Sequence, residues 1–328
     1  MKYVVIALSI CLFIFNYLVK SQADFGIDVE RYEVVLREGV GDWSFYYLKE
    51  IVSWGVLDLL SKFSASWTLP QQLILLDLIV LLGVAAACFR SGFAAERFPF
   101  FYPTFAFVLL SFNVLRQYIA FAFLASALIA AVNRWPRRFA IFVILAVLSH
   151  NGSIFIVPAL ALIFFREIRS LHKIMLGIFG FSILLLMSTN DAVIKAFETG
   201  GDALEEPFWK VILYASLSLY FALLLRVEPL IKKHQFEMPF FRLEASKFLS
   251  LTLFFVGLLI TITPFANWII SRNWLTIISL QIFLYLCLER VRGITKSSVR
   301  KFVLFYFLPM VVLVIFHAGA WQMAFGEK

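Results

Sequence analysis

Charge and cysteine are both scarce in this sequence. Asp, Glu, Lys and Arg make up 15% of the 328 residues, where a soluble domain carries roughly 25%. The three cysteines, Cys11, Cys88 and Cys287, stand far apart within apolar runs. That spacing supports neither a disulfide framework nor a zinc site. No glycine-rich nucleotide loop, internal repeat or low-complexity tract is present. The net charge of +8 is not gathered into a basic patch with interleaved aromatics, so no nucleic-acid partner is expected.

What fills the sequence is apolar. Hydrophobic residues reach 62%, against roughly 45–50% in a soluble domain. A water-soluble core of this size cannot bury that excess, so lipid is expected to be the solvent for most of the chain. The 38 Phe and 8 Trp suit lipid-facing surfaces and interfacial belts.

A membrane-spanning helix needs about 20 apolar residues, with a range of roughly 17–25. The apolar runs are 3–19, 70–89, 98–112, 116–133, 137–149, 152–165, 173–189, 208–226, 247–263, 273–290 and 300–317. They predict an all-α, polytopic membrane protein of about eleven helices. The basic residues set the orientation. With Lys2 inside, the inner segments hold Arg90 and Arg97, then Arg134, Arg137 and Arg138, then Arg166, Arg169 and Lys173. Further inner segments hold Arg226, Lys232, Lys233, Arg242 and Lys247, then Arg290, Arg292, Lys296, Arg300 and Lys301. Every short inner loop is thus rich in Lys and Arg, as the positive-inside rule requires. The N-terminus is expected in the cytoplasm and the C-terminus outside. Run 3–19 is expected to be a retained anchor and not a cleaved signal peptide. The shortest runs leave open a re-entrant path instead of a full span.

Residues 1–328 read as one transmembrane domain with two long outer loops. Loop 20–69 opens with Asp24, Asp28, Glu30 and Glu33. In its segment 45–63, Leu48, Ile51, Val52, Leu59 and Phe63 share one helical face, the pattern of a helix lying in the membrane interface. Loop 190–207 is glycine-rich and acidic.

Ionisable groups at membrane depth are functional candidates by default. Run 98–112 is about 22 Å long as a helix, short of the roughly 30 Å hydrocarbon core. The turn at Asn113 is therefore expected below the outer surface, with Arg116 in the first turn of the next helix. A helix start already presents free N–H groups and a positive dipole end. A cation there implies a bound anion or, alternatively, pairing with Asp77 or another carboxylate. His150 repeats the geometry: it ends a short run, and Asn151-Gly152-Ser153 can turn and cap the next helix. It is placed either as a general base or as a histidine hydrogen-bonded to a neighbouring helix. Arg272 is expected in an outer turn, 267–273, ahead of a helix start, or as an interfacial Arg reaching water. Asp28, Glu30, Arg31, Tyr32 and Glu50 lie in the first outer loop, where charge is ordinarily just solvated. Three basic or imidazole groups near helix starts suit a phosphate or pyrophosphate anion.

Phe112-Asn113-Val114-Leu115-Arg116-Gln117-Tyr118-Ile119-Ala120 resembles the EpsG family, a Wzy-like group of polysaccharide polymerases. Its members show an Arg-Gln followed by Ile-Ala at a helix start; Tyr118 is inserted here. About thirty residues later they carry a His near a Ser, which reads here as Ser149-His150-Asn151-Gly152-Ser153. The first outer loop is also similar, with Asp28 before Tyr32 and then the aromatic segment Phe45-Tyr46-Tyr47-Leu48. The acidic residue usual before that segment stands at Asp42.

The resemblance implies a multi-pass enzyme of the bacterial inner (cytoplasmic) membrane, related to the membrane C-type glycosyltransferases and working without a metal or other cofactor. It would join oligosaccharide repeat units carried on undecaprenyl pyrophosphate at the periplasmic face, for exopolysaccharide, capsule or O-antigen. A chain-length regulator and a flippase of the same pathway are the implied partners. Arg116 and Arg272 would stabilise the departing pyrophosphate, and His150 would act as base with Asp28 the alternative. Asn113, Gln117 and Tyr32 would position sugar or phosphate. The rival readings are a transporter or flippase that binds the same head group without reacting, an O-antigen-ligase-like glycosyltransferase, and a membrane acyltransferase using His150.

Overall fold

A computed structural model describes residues 27–90, 115–132, 135–164, 208–227, 243–263, 265 and 267–289, together with Ala7, Cys11, Ile14 and Gly180. Among the described residues every regular element is a helix. In chain order they are α1 (Ile27–Glu38), α2 (Phe45–Leu48), α3 (Ile51–Phe63), α4 (Leu69–Arg90), α5 (Leu115–Val132), α6 (Pro136–Ser149), a 3-10 turn (Asn151–Phe155), α7 (Val157–Phe164), α8 (Phe208–Val227), α9 (Leu243–Thr261) and α10 (Asn267–Glu289).

The all-α class is as expected. Among the described residues no helix is long and apolar enough to cross a membrane. Polar residues interrupt the longer helices: Gln72 and Asp77 in α4, Lys210 in α8, Arg272 in α10. The 14 residues of α6 and the 8 of α7 make helices of about 21 and 12 Å. Runs 98–112 and 300–317 and loop 190–207 lie outside the described residues, as do 3–19 and 173–189 apart from the isolated positions above. The number and orientation of spans therefore belong to the proposed reading below.

Two compact units divide the chain. One is Met1–Ser126 with Leu148–His150 and Glu289–Lys328; the other is Ala127–Val147 with Asn151–Leu288. In the first unit, α1 and α4 pack with α3 around Tyr32, Val35, Leu36, Trp54, Leu57, Leu60, Leu73 and Leu76. Leu115, Tyr118 and Ile119 of α5 join the same core. The apolar spacing of α3 explains the packing: Trp54, Leu57, Leu60 and Ser61 recur every three to four residues and are all buried. Leu48, Ile51, Leu59 and Phe63 stay exposed. The segment expected as one interfacial helix is broken at Lys49-Glu50 into α2 and α3.

Polar contacts pin these helices together. The Gln72 side-chain amide of α4 donates to the carbonyls of Leu36 (3.1 Å) and Ser64 (3.0 Å), at the ends of α1 and α3. Gly39 ends α1 with φ +78°, and its N–H donates to the Val35 carbonyl at 2.9 Å. This left-handed cap turns the chain so that the Val40 N–H donates to Asp58 Oδ1 at 2.8 Å. Asp58 also binds Lys62 Nζ at 2.8 Å. These donors hold its carboxyl below the usual carboxylate range, Lys62 contributing most and the Val40 N–H next.

In the second unit α9 and α10 pair antiparallel. Trp274 Nε1 donates to Thr261 Oγ1 at 2.9 Å, and Gln281 Nε2 to the Ser250 carbonyl at 3.0 Å. Gly257 admits the Trp274 ring against its backbone; a Cβ there would overlap the indole. The α8 helix packs on α9, as does α7.

Candidate active site: a buried charged cluster

Four segments of the first unit meet at one carboxylate. Glu50 sits at the break between α2 and α3 and occupies the N-cap position of α3, yet its side chain makes no capping hydrogen bond. N-cap positions favour Ser, Thr, Asp and Asn, so glutamate is not there for the helix. Its Oε2 is ion-paired with Arg116 Nη1. Its Oε1 lies 3.0 Å from Nδ1 of His150. Arg116 Nε donates to the Tyr32 hydroxyl at 3.2 Å. The guanidinium carbon lies 5.2 Å from the centroid of the Trp54 ring, within cation–π range.

The local chemistry of each segment explains its position. Arg116 is the second residue of α5, where the helix dipole disfavours a cation; the Glu50 carboxylate offsets that. His150 falls between the end of α6 and the 3-10 turn at Asn151. Tyr32 lies mid-way along α1 and Trp54 in the first turn of α3. Tyr46 and Tyr47 pack edge-on to each other at 5.3 Å and reach Trp54 at 5.7 and 5.0 Å, extending the aromatic wall outward from the cluster.

Burial makes the pairing consequential. The side chains of Glu50 and Arg116 are 4% and 5% exposed, while that of His150 is 17% exposed. Breaking a buried ion pair by removing one partner costs about 3–5 kcal/mol. Beside Glu50, half-buried Lys49 has its pKa pushed down by burial, with Glu50 opposing that shift and Arg116 adding to it. Its ammonium lies 5.0 Å from the Tyr46 ring centroid.

The expected site residues divide into three groups. Arg116, His150 and Tyr32 are brought together. Gln117 is buried beside Arg116 in α5. Asp28 falls in the first turn of α1, four residues before Tyr32, and its side chain lies outside what the structure describes. Asn113 lies outside the described residues. Arg272 belongs to the second unit. It was expected in a turn ahead of a helix start, but α10 already begins at Asn267, making Arg272 its sixth residue. The reason is local: Asn267 suits a helix start, and Ile269, Ile270 and Asn273 are buried, so the packed face of α10 begins before Arg272.

The alternative partner Asp77 does not take Arg116. Asp77 is buried on α4, and its backbone carbonyl accepts from the Tyr118 hydroxyl at 3.4 Å. Glu50 takes the arginine instead, a residue that the sequence placed among ordinary loop charges. The signal for it was indirect: a buried Arg implies a carboxylate or a bound anion, and Glu50 closely follows the aromatic segment Phe45-Tyr46-Tyr47. Among the described residues no group of three His, Cys, Asp or Glu could hold a metal ion.

Among the described residues, helices alone and a buried Arg-Glu-His cluster, built where helix ends meet a loop, define the class. Residues 4–325 match the EpsG family, and the chain belongs to that family. Membership gives it a polysaccharide-polymerase type of function, in a family of typically membrane-associated, glycosyltransferase-like polymerases. No curated protein and no solved structure matches the chain.

Proposed function

We propose that the chain is a multi-pass glycosyltransferase of the bacterial cytoplasmic membrane. It joins oligosaccharide repeat units carried on undecaprenyl pyrophosphate, at the outer face. Family membership across 4–325 supports the reaction class. The apolar composition and the basic inner loops support the membrane topology of about eleven spans. The exposed apolar side chains Leu48, Ile51, Leu59 and Phe63 support an interfacial lie for α2 and α3. The observation that carries the site is the convergence of Arg116 and His150 on one buried carboxylate.

The chemistry assigns each group a task. The acceptor sugar hydroxyl gives its proton to His150 as its oxygen bonds to the anomeric carbon of the donor. The bond from that carbon to the pyrophosphate oxygen breaks, and undecaprenyl pyrophosphate departs with the electron pair. Negative charge grows on the leaving group, and a fixed cation nearby lowers the barrier. Arg116 is that cation. A guanidinium has five N–H donors; Glu50 and Tyr32 engage Nη1 and Nε, which leaves donors for a phosphate oxygen. Removing one such stabilising donor costs on the order of 10²–10³ in rate. Asn113, Gln117, Tyr32 and Asp28 remain proposed on the sugar or phosphate side of the substrate, while Arg272 belongs to the second unit and is given no place at this site.

The test is the state of lipid-linked glycan in cells carrying Arg116→Ala or His150→Ala. A polymerase defect leaves single repeat units on the outer leaflet. Repeat units trapped on the inner leaflet would instead identify a flippase. Polymer of normal length and amount from both variants would overturn the site.

A further inference from the structure

The proposed chemistry uses a base and a cation but gives no task to the carboxylate between them. We infer that Glu50 is a positioning residue that fixes His150 with its proton on Nδ1, leaving Nε2 as the nitrogen that takes the acceptor's proton. This rests on the polymerase reading for its consequence, though not for its geometry.

Donor and acceptor bookkeeping decides the matter. A guanidinium is protonated at any working pH and has no acceptor. The oxygen facing Arg116 must therefore accept, and a carboxylate beside a buried guanidinium stays ionised. An ionised carboxylate only accepts. Its other oxygen lies 3.0 Å from His150 Nδ1, so Nδ1 must be the donor. In neutral imidazole the remaining nitrogen, Nε2, then carries the lone pair. The His150 side chain keeps 17% of its surface exposed beside a carboxylate that is 4% exposed, so the ring lies nearer the surface than Glu50.

The same logic explains why the residue must be acidic. Glutamine has the same shape but only one acceptor oxygen. With that oxygen on Arg116, its NH₂ faces Nδ1 and forces the proton onto Nε2, reversing the roles of the ring nitrogens. With the oxygen on His150, the NH₂ opposes the guanidinium. Aspartate keeps both acceptors on a side chain one methylene shorter. The backbone supports this division of labour. Glu50 holds the N-cap position of α3 without capping it, so its carboxylate is committed to residues 66 and 100 positions away.

The experiment is ¹⁵N NMR of the full-length protein in lipid nanodiscs, with histidine labelled. The chain has four histidines, and His150→Gln identifies the signal of interest. In the unaltered protein His150 is expected in the Nδ1–H form. In Glu50→Gln it shifts to the Nε2–H form or a mixture, and polymer synthesis per folded protein falls by at least about 100-fold, as loss of the correct tautomer does in other histidine sites. Glu50→Asp retains the Nδ1–H form and recovers most of the lost synthesis. If Glu50→Gln does not fold, the unaltered protein and Glu50→Asp still decide. An Nε2–H form in the unaltered protein, or an unchanged tautomer and unchanged synthesis in Glu50→Gln, overturns the inference. A correct tautomer in a protein whose polymer synthesis ignores His150 would instead overturn the polymerase role of His150 and leave the geometry standing.

Discussion

Glu50 and Arg116 offer a test of how charge is held in this fold. Both side chains are almost fully buried, so neither has solvent to fall back on. Glu50→Leu leaves a buried guanidinium that cannot shed its proton, and should cost about 3–5 kcal/mol. Arg116→Met leaves a buried carboxylate with the His150 N–H as its remaining partner in the cluster, at a similar or smaller cost at neutral pH. That carboxylate can take up a proton, so the deficit of Arg116→Met should shrink as pH falls. The deficit of Glu50→Leu should not shrink as pH falls. The double variant removes both charges and replaces them with apolar volume. Buried pairs replaced in this way are often neutral or stabilising, so its deficit should be about 0–1 kcal/mol. The cycle then reads a coupling of several kcal/mol, far above the ~0.5 kcal/mol within which independent sites add. Reversible denaturant titration of detergent-solubilised protein, with the three variants compared at pH 7.5 and pH 5, measures it. A double variant as destabilised as the sum of the two singles would refute the pairing. Equal pH responses of the two singles would refute the asymmetry.

Three further predictions test the frame around the site. Gly39→Ala places a side chain at φ +78° with its Cβ 2.9 Å from Asp58 Oδ1; left-handed strain and a weakened Val40 hydrogen bond together should cost about 2–3 kcal/mol, read as a lowered unfolding midpoint. The folded Asp58 carboxyl lies below its unfolded value, so its contribution is present above the unfolded value of about 3.9 and is lost as pH falls through the lower folded one. Asp58→Asn should therefore abolish part of the acid-side loss of stability below about pH 4, and an unchanged acid limb in pH-scanned unfolding would contradict this. Gly257→Ala should overpack the α9–α10 contact at Trp274 at a cost of about 1–3 kcal/mol, seen as a shift in the tryptophan emission and a lower midpoint.

Local chemistry made much of the site legible. Arg116 falls in the first turn of α5, and His150 falls between two helical segments, because turn residues and the ends of apolar runs mark helix boundaries within a few positions. Arg272 was misplaced for a related reason. A boundary read from hydropathy starts at the first long apolar run, whereas α10 starts at Asn267 because its early isoleucines pack. Helix α1 was missed because its exposed positions mix Val34 with Arg37 and Glu38, which blurs the apolar face. Its apolar partners Tyr32, Val35 and Leu36 are few, and they become a face only when Leu57, Leu73 and Trp54 lie opposite.

The sequence by itself determined the helical class of this chain and the positions where a cation and an imidazole stand at helix ends. Those properties follow from composition, periodicity and turn chemistry, which act over a few residues. Tertiary structure alone decided which carboxylate answers the arginine. Asp77 and Glu50 are both acidic, and nothing local ranks one above the other. Glu50 prevails because the break between α2 and α3 delivers its two oxygens to Arg116 and His150 at once, across separations of 66 and 100 residues. A pairing of that range exists only after the helices have packed.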